Sequence, residues 1–205
     1  MSKKIPFSIP AILIFLICSA CIPNSISLDY VLNDNANNII IIENEPNFRI
    51  FQNKDMLPWY LHYEVYNNKG DIVESFITSR TAWIRNLNEN ILEIGVSVGT
   101  GTTQVRFYSI EHDIFSDFFL SPFLVKSNII AEMRLVHENK WALIFQDIFV
   151  PTTFLKEFYL TNLPSTISPF FSIVNIEYIG DGSVSVTHLS GDHYDEITTV
   201  LHLFP

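Results

Sequence analysis

The chain of 205 residues contains 12 basic and 22 acidic residues, which give a formal net charge of −10. An acidic surface repels polyanions, and the basic residues are scattered singly, so we expect no nucleic-acid partner. Both cysteines, Cys18 and Cys21, lie within the first 21 residues. The fold beyond them must therefore be held by its core rather than by disulfides.

Residues 1–21 have the layout of a secretory signal peptide. Lys3 and Lys4 precede an apolar run that ends in small residues. A transmembrane helix is the alternative, but it needs about 20 apolar residues, and this run is shorter and contains Pro6 and Pro10. We therefore expect export and removal of this leader.

The end of the leader, LICSAC over residues 16–21, resembles the lipobox of bacterial lipoproteins. It departs from that pattern at Cys18, where the family usually has leucine, and ordinary signal peptidase would also cut before Cys21. The resemblance implies that Cys21 is lipidated and that the chain is attached to the extracytoplasmic side of the cell membrane, since two acyl chains give stable anchoring. The mature chain resembles small lipoproteins of Gram-positive bacteria, which share no activity to transfer.

The mature chain divides into a tether and one domain. Residues 22–37 are polar and rich in turn residues, which predicts a flexible tether. Residues 38–205 have the length of a single domain with a sizeable core. Removal of the leader takes two basic residues and no acidic ones, so the mature net charge is −12.

The domain is predicted to be all-β. Segments rich in Ile, Val, Phe, Tyr and Thr recur between Gly, Asn, Asp and Pro, and none has a helical period. The predicted strands lie near 38–43, 47–52, 60–67, 71–78, 81–87, 90–98, 103–111, 114–119, 128–136, 140–148, 154–160, 171–179, 183–189 and 195–203.

A weak repeat suggests how these strands are arranged. Runs that begin at residues 88, 138 and 180 each place a turn before a long strand, at intervals of 50 and 42 residues. Such spacing is typical of propeller blades, and four blades would fit the mature chain. We therefore predict an antiparallel meander of about four propeller-like modules, with a two-sheet β-sandwich as the alternative.

Three turns carry clear hairpin chemistry. Asn67–Gly70 and Asp181–Gly182 each separate two alternating runs. The Gly99–Gly101 turn superficially resembles a phosphate-binding loop, but such a loop needs a third glycine or a Gly-Lys-Ser/Thr ending and a following helix. We therefore predict a hairpin in which both glycines have positive φ, and no cofactor.

Two strands differ in their expected burial. In 90–98, Leu92, Ile94, Val96 and Val98 alternate with Glu93, Gly95 and Ser97, which predicts a strand buried on one face only. Residues 141–149, WALIFQDIF, are apolar on both faces and predict a central strand covered on both sides.

The candidate ligand face lies in the strand WYLHYEVY. Alternation places Tyr60, His62, Glu64 and Tyr66 on one side, where rings can stack on a sugar while His and Glu bind its hydroxyls. The alternative is an ordinary strand face built from residues of high β-propensity. The aromatic run 115–123 is expected to serve core packing, with any exposed part forming an adhesive patch.

A weaker candidate is a metal site formed by Asp192, His193, Asp195 and Glu196. This turn lacks the ligand spacing of calcium loops and of zinc sites, so a solvated hairpin turn and no metal are expected. No G-x-S-x-G elbow is present. The sequence favours a non-catalytic binding or scaffolding domain that recognises an envelope protein or glycan, with an envelope glycan-active hydrolase as the alternative.

Overall fold

The computed structural model describes residues 38–79, 81–99, 101–137, 140–150 and 154–204. Within these ranges the chain is built mainly of β-strands, with a 3₁₀ turn at Pro169–Ser172, and contains no α-helix. The predicted all-β class is therefore confirmed. The leader, Cys21 and the predicted tether lie outside the described residues.

The strands form four antiparallel sheets, each made of consecutive strands. The first sheet contains β1 (Ile39–Glu45), β2 (Phe48–Asn53), β3 (Tyr60–Tyr66) and β4 (Ile72–Ser79). The second contains β5 (Ala82–Asn88), β6 (Ile91–Gly99), β7 (Thr102–Ser109) and β8 (Ile114–Phe115), and β9 (Phe119–Leu120) also pairs with β7. The third contains β10 (Phe123–Lys126), β11 (Ile129–Leu135), β12 (Trp141–Asp147) and β13 (Phe154–Tyr159). The fourth contains β14 (Ile173–Gly180), β15 (Ser183–Ser190) and β16 (Asp195–His202).

One backbone hydrogen bond recurs in all four sheets. The residue just before the second strand accepts a hydrogen bond from the amide at the end of the third strand. The pairs are Asn47 with Tyr66, Asn90 with Ile110, Asn128 with Ile148 and Gly182 with Leu203, at 2.8, 2.9, 2.9 and 2.8 Å. The equivalent turns thus lie at residues 47, 90, 128 and 182. The predicted run that begins at residue 138 does not match this repeat. It leads into β12, which is the third strand of its sheet, whereas each of the equivalent turns precedes a second strand.

Consecutive sheets share hydrophobic cores. Alternate side chains of a strand point to opposite faces, so one sheet can contribute to two cores. The first and second sheets meet through Phe48, Tyr63, Ile84, Leu92 and Tyr108. The second and third meet through Ile91, Phe107, Phe119 and Ile130, and the third and fourth through Met133, Leu143, Phe145, Val184 and Val186.

The strand β12 is central, as its sequence predicted. It pairs with both β11 and β13, and its residues from Ala142 to Gln146 are all buried. Leu143 and Phe145 belong to the core shared with the fourth sheet. Apolar residues on both faces therefore correctly indicated a strand that is covered on both sides.

The prediction for β6 was wrong in its buried extent. Leu92 and Ile94 are buried, but Glu93 and Gly95 on the opposite face are buried as well. The Trp83 ring packs directly on Gly95, and its indole Nε1 donates a hydrogen bond to Glu93 at 2.7 Å. The second face of β6 is thus covered by the side chain of Trp83, the residue that pairs with Gly95 on the neighbouring strand.

The three hairpins are confirmed, with one correction to their glycines. Gly70 closes the first turn at φ +82°, and Asp181 and Gly182 both have positive φ in the third. Of the two glycines Gly99 and Gly101, the second has positive φ, at +71°, and the first does not. Gly99 instead ends β6, where it pairs with Thr102 after an irregularity in the register that follows Ser97.

Candidate functional site

The predicted ligand face lies on β3 in the first sheet. Tyr60 is exposed, with 38% of its surface accessible, while His62 and Tyr66 are half-buried and Glu64 is buried. Alternation along β3 places the four side chains on one face, but they differ in their access to solvent. A ligand on this face would meet Tyr60 first.

Glu64 is committed to an ion pair. It lies opposite Arg49 of β2, whose Nε and Nη2 donate to the same carboxylate oxygen at 3.1 and 2.8 Å. The Tyr66 hydroxyl donates to that oxygen too. Burial, the hydrogen bond and the charge of Glu64 together raise the pKa of Tyr66 to about 12. Glu64 thus has a structural partner that the sequence pattern did not reveal.

His62 is held against apolar groups. Its ring stacks on Phe51 at a centroid distance of 4.8 Å, and its Nε2 lies 3.1 Å from the sulfur of Met56. Burial lowers the pKa of His62, although the negative charge of Glu64 acts in the opposite direction. A neutral imidazole between a ring and a thioether suits packing better than proton transfer.

Two further buried carboxylates also pair with arginine. Glu93 accepts hydrogen bonds from Trp83 and from Arg85, which lies opposite it on β5, and the Arg85 bond is 2.9 Å long. Glu132 accepts from Arg134 at 2.6 Å and from the backbone amide of Leu120 at 2.7 Å. Sequence reasoning missed these sites, because it treats a lone charged residue on a strand as solvent-facing. The signal available in the sequence was an arginine nearby: Arg134 follows Glu132 by two residues, and Arg85 lies on the strand before Glu93.

The four weak metal candidates lie at the hairpin between β15 and β16, two in its turn and two at the start of β16. Asp192, His193, Asp195 and Glu196 are all exposed, and Asp192 accepts a hydrogen bond from Ser165 at 3.2 Å. Within the described part of the chain, no group of three or more His, Cys, Asp or Glu side chains is arranged to hold a metal ion. The turn is closed by Gly191 at φ +65° and Tyr194 at φ +58°.

A charged contact joins the first two sheets. Arg106 of β7 forms an ion pair with Glu74 of β4, and its guanidinium lies over the rings of Phe115 and Phe118 at 4.4 and 5.0 Å. Burial lowers the pKa of Arg106 to about 10. Within the aromatic run 115–123, Phe119 is therefore buried in the core, whereas Phe118 is exposed.

An open groove of about 400 Å³ lies where segments of the second, third and fourth sheets meet. Its wall is aromatic and aliphatic, with two hydroxyl groups, and no lining side chain titrates. The lining residues are Gly101, Thr103, Ser121, Pro122, Phe123, Phe170, Phe171 and Ile173.

Backbone geometry shapes this groove. The Phe171 ring lies against Gly101, where an added Cβ would be 2.6 Å from the ring, and the positive φ of Gly101 favours glycine there. Ser121 and Thr103 exchange hydrogen bonds, Ser121 N to Thr103 O at 2.8 Å and Thr103 N to Ser121 Oγ at 3.1 Å. No local pattern in the sequence indicates the groove, because its residues come from three separate segments.

In the described ranges no helix is both long and apolar enough to cross a membrane. The fold and these sites define a small all-β domain with buried ion pairs and an aromatic groove. Comparison of the sequence with protein-family models and with curated proteins finds no match.

Proposed function

We propose that the chain is a lipid-anchored, extracytoplasmic binding or scaffolding domain of the cell envelope without catalytic activity. The state of its buried carboxylates carries this proposal. Glu64, Glu93 and Glu132 are each neutralised by an arginine. A glycan-active hydrolase needs two carboxyl groups that converge on the scissile bond, with at least one of raised pKa. These three carboxylates are instead held by arginine side chains within their own sheets, which disfavours the hydrolase alternative.

The groove supports binding rather than chemistry. Phe123, Phe170 and Phe171 supply apolar stacking area, while Thr103 and Ser121 supply hydroxyl groups at its edge. Recognition pockets combine these two features, whereas acid–base catalysis needs a titratable group within hydrogen-bond reach. We infer that the groove binds an apolar side chain of an envelope protein. The alternative ligand is a glycan, which would bind at Tyr60 on β3 instead of in the groove.

The repeated architecture supports a propeller-like scaffold. Four successive meanders carry the same turn hydrogen bond, and each packs on the next through its own core. Stacked modules of this kind offer extended surfaces to partners while each module contacts only its neighbours. A two-sheet sandwich is the alternative description of the same strands.

The anchor is tested by Cys21→Ser. If Cys21 is lipidated, this variant is released into the medium or remains an unprocessed precursor, while the wild type partitions into detergent. The matched control is Cys18→Ser, which removes the other thiol and keeps the acceptor. Equal detergent partitioning of a correctly processed Cys21→Ser protein would disprove lipidation.

The groove is tested by photo-crosslinking in intact cells with benzoylphenylalanine in place of Phe171. Phe118 is the matched control position, because the two rings are 57% and 54% exposed but only Phe171 lines the groove. We expect one discrete protein adduct from position 171 and none from 118. Identical adducts at both positions, or adducts at neither, would contradict a protein ligand. Cell-wall glycan that sediments the wild type but not a Tyr60→Ala variant would instead support the rival ligand.

A further inference from the structure

Exposed apolar side chains gather at one end of the first sheet. They are large, they include two aromatic rings, and each is between 38% and 54% exposed. The group consists of Ile40, Ile41, Leu57, Trp59, Tyr60 and Ile77. Single exposed hydrophobic residues need no explanation, but a cluster of this size marks an interaction surface.

Strand register brings these residues to the same end. Ile40 pairs with Gln52 near the end of β2, and the next connection, residues 54–59, carries Leu57 and Trp59. Tyr60 begins β3 opposite Ser79, two residues from Ile77 on β4. Three strands and one loop thus contribute exposed apolar side chains to the same end of the sheet.

The same end is where the chain joins the domain from its N-terminal side. The amide of Lys54 donates to the carbonyl of Asn38 at 2.8 Å, and the Asn38 side chain donates to Asp55 at 3.0 Å. The loop that carries Leu57 and Trp59 is therefore fixed to the first residue of the described domain. We call this surface the tether end.

The anchor would keep the tether end close to the membrane. Residues 22–37 are sixteen residues between Cys21 and Asn38, and a chain of that length spans at most about 55 Å in any conformation. No other part of the domain is attached more closely to Cys21. An apolar surface held at this distance repeatedly meets the bilayer.

The chemistry of the tether end fits a bilayer interface. Trp and Tyr combine an apolar body with a polar tip and concentrate at the boundary between headgroups and acyl chains, and the isoleucines and leucine add apolar area. Lys54 and Asp55, of opposite charge, lie in the same loop. The mature net charge of −12 gives no attraction to anionic lipid, so contact must come from apolar insertion.

We propose that the tether end rests in the interfacial layer of the bilayer and orients the domain on the membrane. This inference rests on the proposed anchoring at Cys21. It adds a second, non-covalent contact to the membrane, made by Trp59, Tyr60 and the neighbouring aliphatic side chains.

The test uses the mature chain from Cys21, produced without acyl chains and coupled through its single thiol to phosphatidylcholine vesicles containing a maleimide phospholipid. The chemical coupling supplies the anchor, so the result is independent of cellular processing, which Cys21→Ser tests separately. Emission of Trp59 is obtained as the difference between the wild type and Trp59→Phe. The matched control is Trp59→Phe with Val200→Trp, because Val200 of β16 is also 54% exposed.

On coupled vesicles we expect brominated lipid to quench Trp59 and the bilayer to protect it from aqueous iodide. Tryptophan at position 200 should remain open to iodide and unaffected by bromine. If iodide quenches Trp59 as strongly on vesicles as in solution, the tether end does not contact the bilayer. The surface would then be a contact for a protein partner. Equal bromine quenching at positions 59 and 200 would also overturn the proposal, because it would show contact without orientation.

Discussion

The indole ring of Trp83 lies directly on Gly95, the residue opposite it in the β5–β6 pair. A Cβ atom added at Gly95 would lie 2.1 Å from Cζ2 of the ring, which no relaxed structure allows. The position of this ring also sets the hydrogen bond from Nε1 to Glu93. One glycine therefore permits both the packing and the polar contact on the second face of β6.

Gly95→Ala should destabilise the domain by about 1–3 kcal/mol, as expected for overpacking in a buried site. The Trp83 ring must move, and its hydrogen bond to Glu93 must lengthen or break. Urea unfolding measured by tryptophan fluorescence gives the free-energy difference. Gly99→Ala is the control, since nothing lies within 4 Å of its added Cβ. Equal stability of Gly95→Ala and the wild type would show that the ring is free to shift without cost.

Leu143→Ala should cost about 2–5 kcal/mol, because it leaves a cavity in the core shared by the third and fourth sheets. Leu135→Ala makes the same chemical change at an exposed position at the end of β11 and should have little effect. Thermal unfolding of both variants checks this prediction.

Reducing agent should leave the thermal midpoint of a protein that begins after Cys21 unchanged, because that protein contains no cysteine.

Most strands could be predicted from sequence, because alternation and turn residues are local signals. The exceptions have physical reasons. The short β10, Phe123–Lys126, was missed because it follows Pro122 and pairs only with β11. The predicted strand 114–119 is two short strands, β8 and β9, that pair with different parts of β7.

The site was less predictable than the fold. Alternation correctly placed Tyr60, His62, Glu64 and Tyr66 on one face, but it carried no information about Arg49, whose pairing depends on the register of β2 against β3. The groove at Phe171 depends on contacts between segments about 70 residues apart in sequence, such as Phe171 on Gly101. Such contacts are set by the packing of sheets, which a local pattern does not encode.

Arg49→Met should destabilise the domain by about 1–3 kcal/mol, the range for losing a hydrogen bond to a charged group. Glu64 would remain buried with no cation to neutralise it, whereas the double variant Arg49→Met/Glu64→Leu removes both charges and should recover much of the loss. Arg85→Met is the matched control, because the Arg85 side chain is 64% exposed and that of Arg49 only 29%. Urea unfolding of the four proteins decides the outcome. A double variant less stable than Arg49→Met would mean that the pair is not the source of the effect.

His188 should make the domain less stable in acid. It is buried on β15 with the Phe158 ring at its edge, and its Nδ1 has no hydrogen-bond partner among the described residues. Burial lowers the pKa of His188 below its ordinary value of 6.5. Between the folded and unfolded pKa values, only the unfolded chain binds the proton, so the free energy of unfolding falls as the pH drops below about 6.5 and is constant above it.

His188→Leu should remove part of this pH dependence, measured as the change in urea midpoint between about pH 7.5 and 5.5. His62, whose pKa burial also lowers, keeps its own contribution in that variant. His193→Leu makes the same change at an exposed turn position and should behave as the wild type does. If His188→Leu shows the same loss of stability in acid as the wild type, the buried imidazole is not responsible for it.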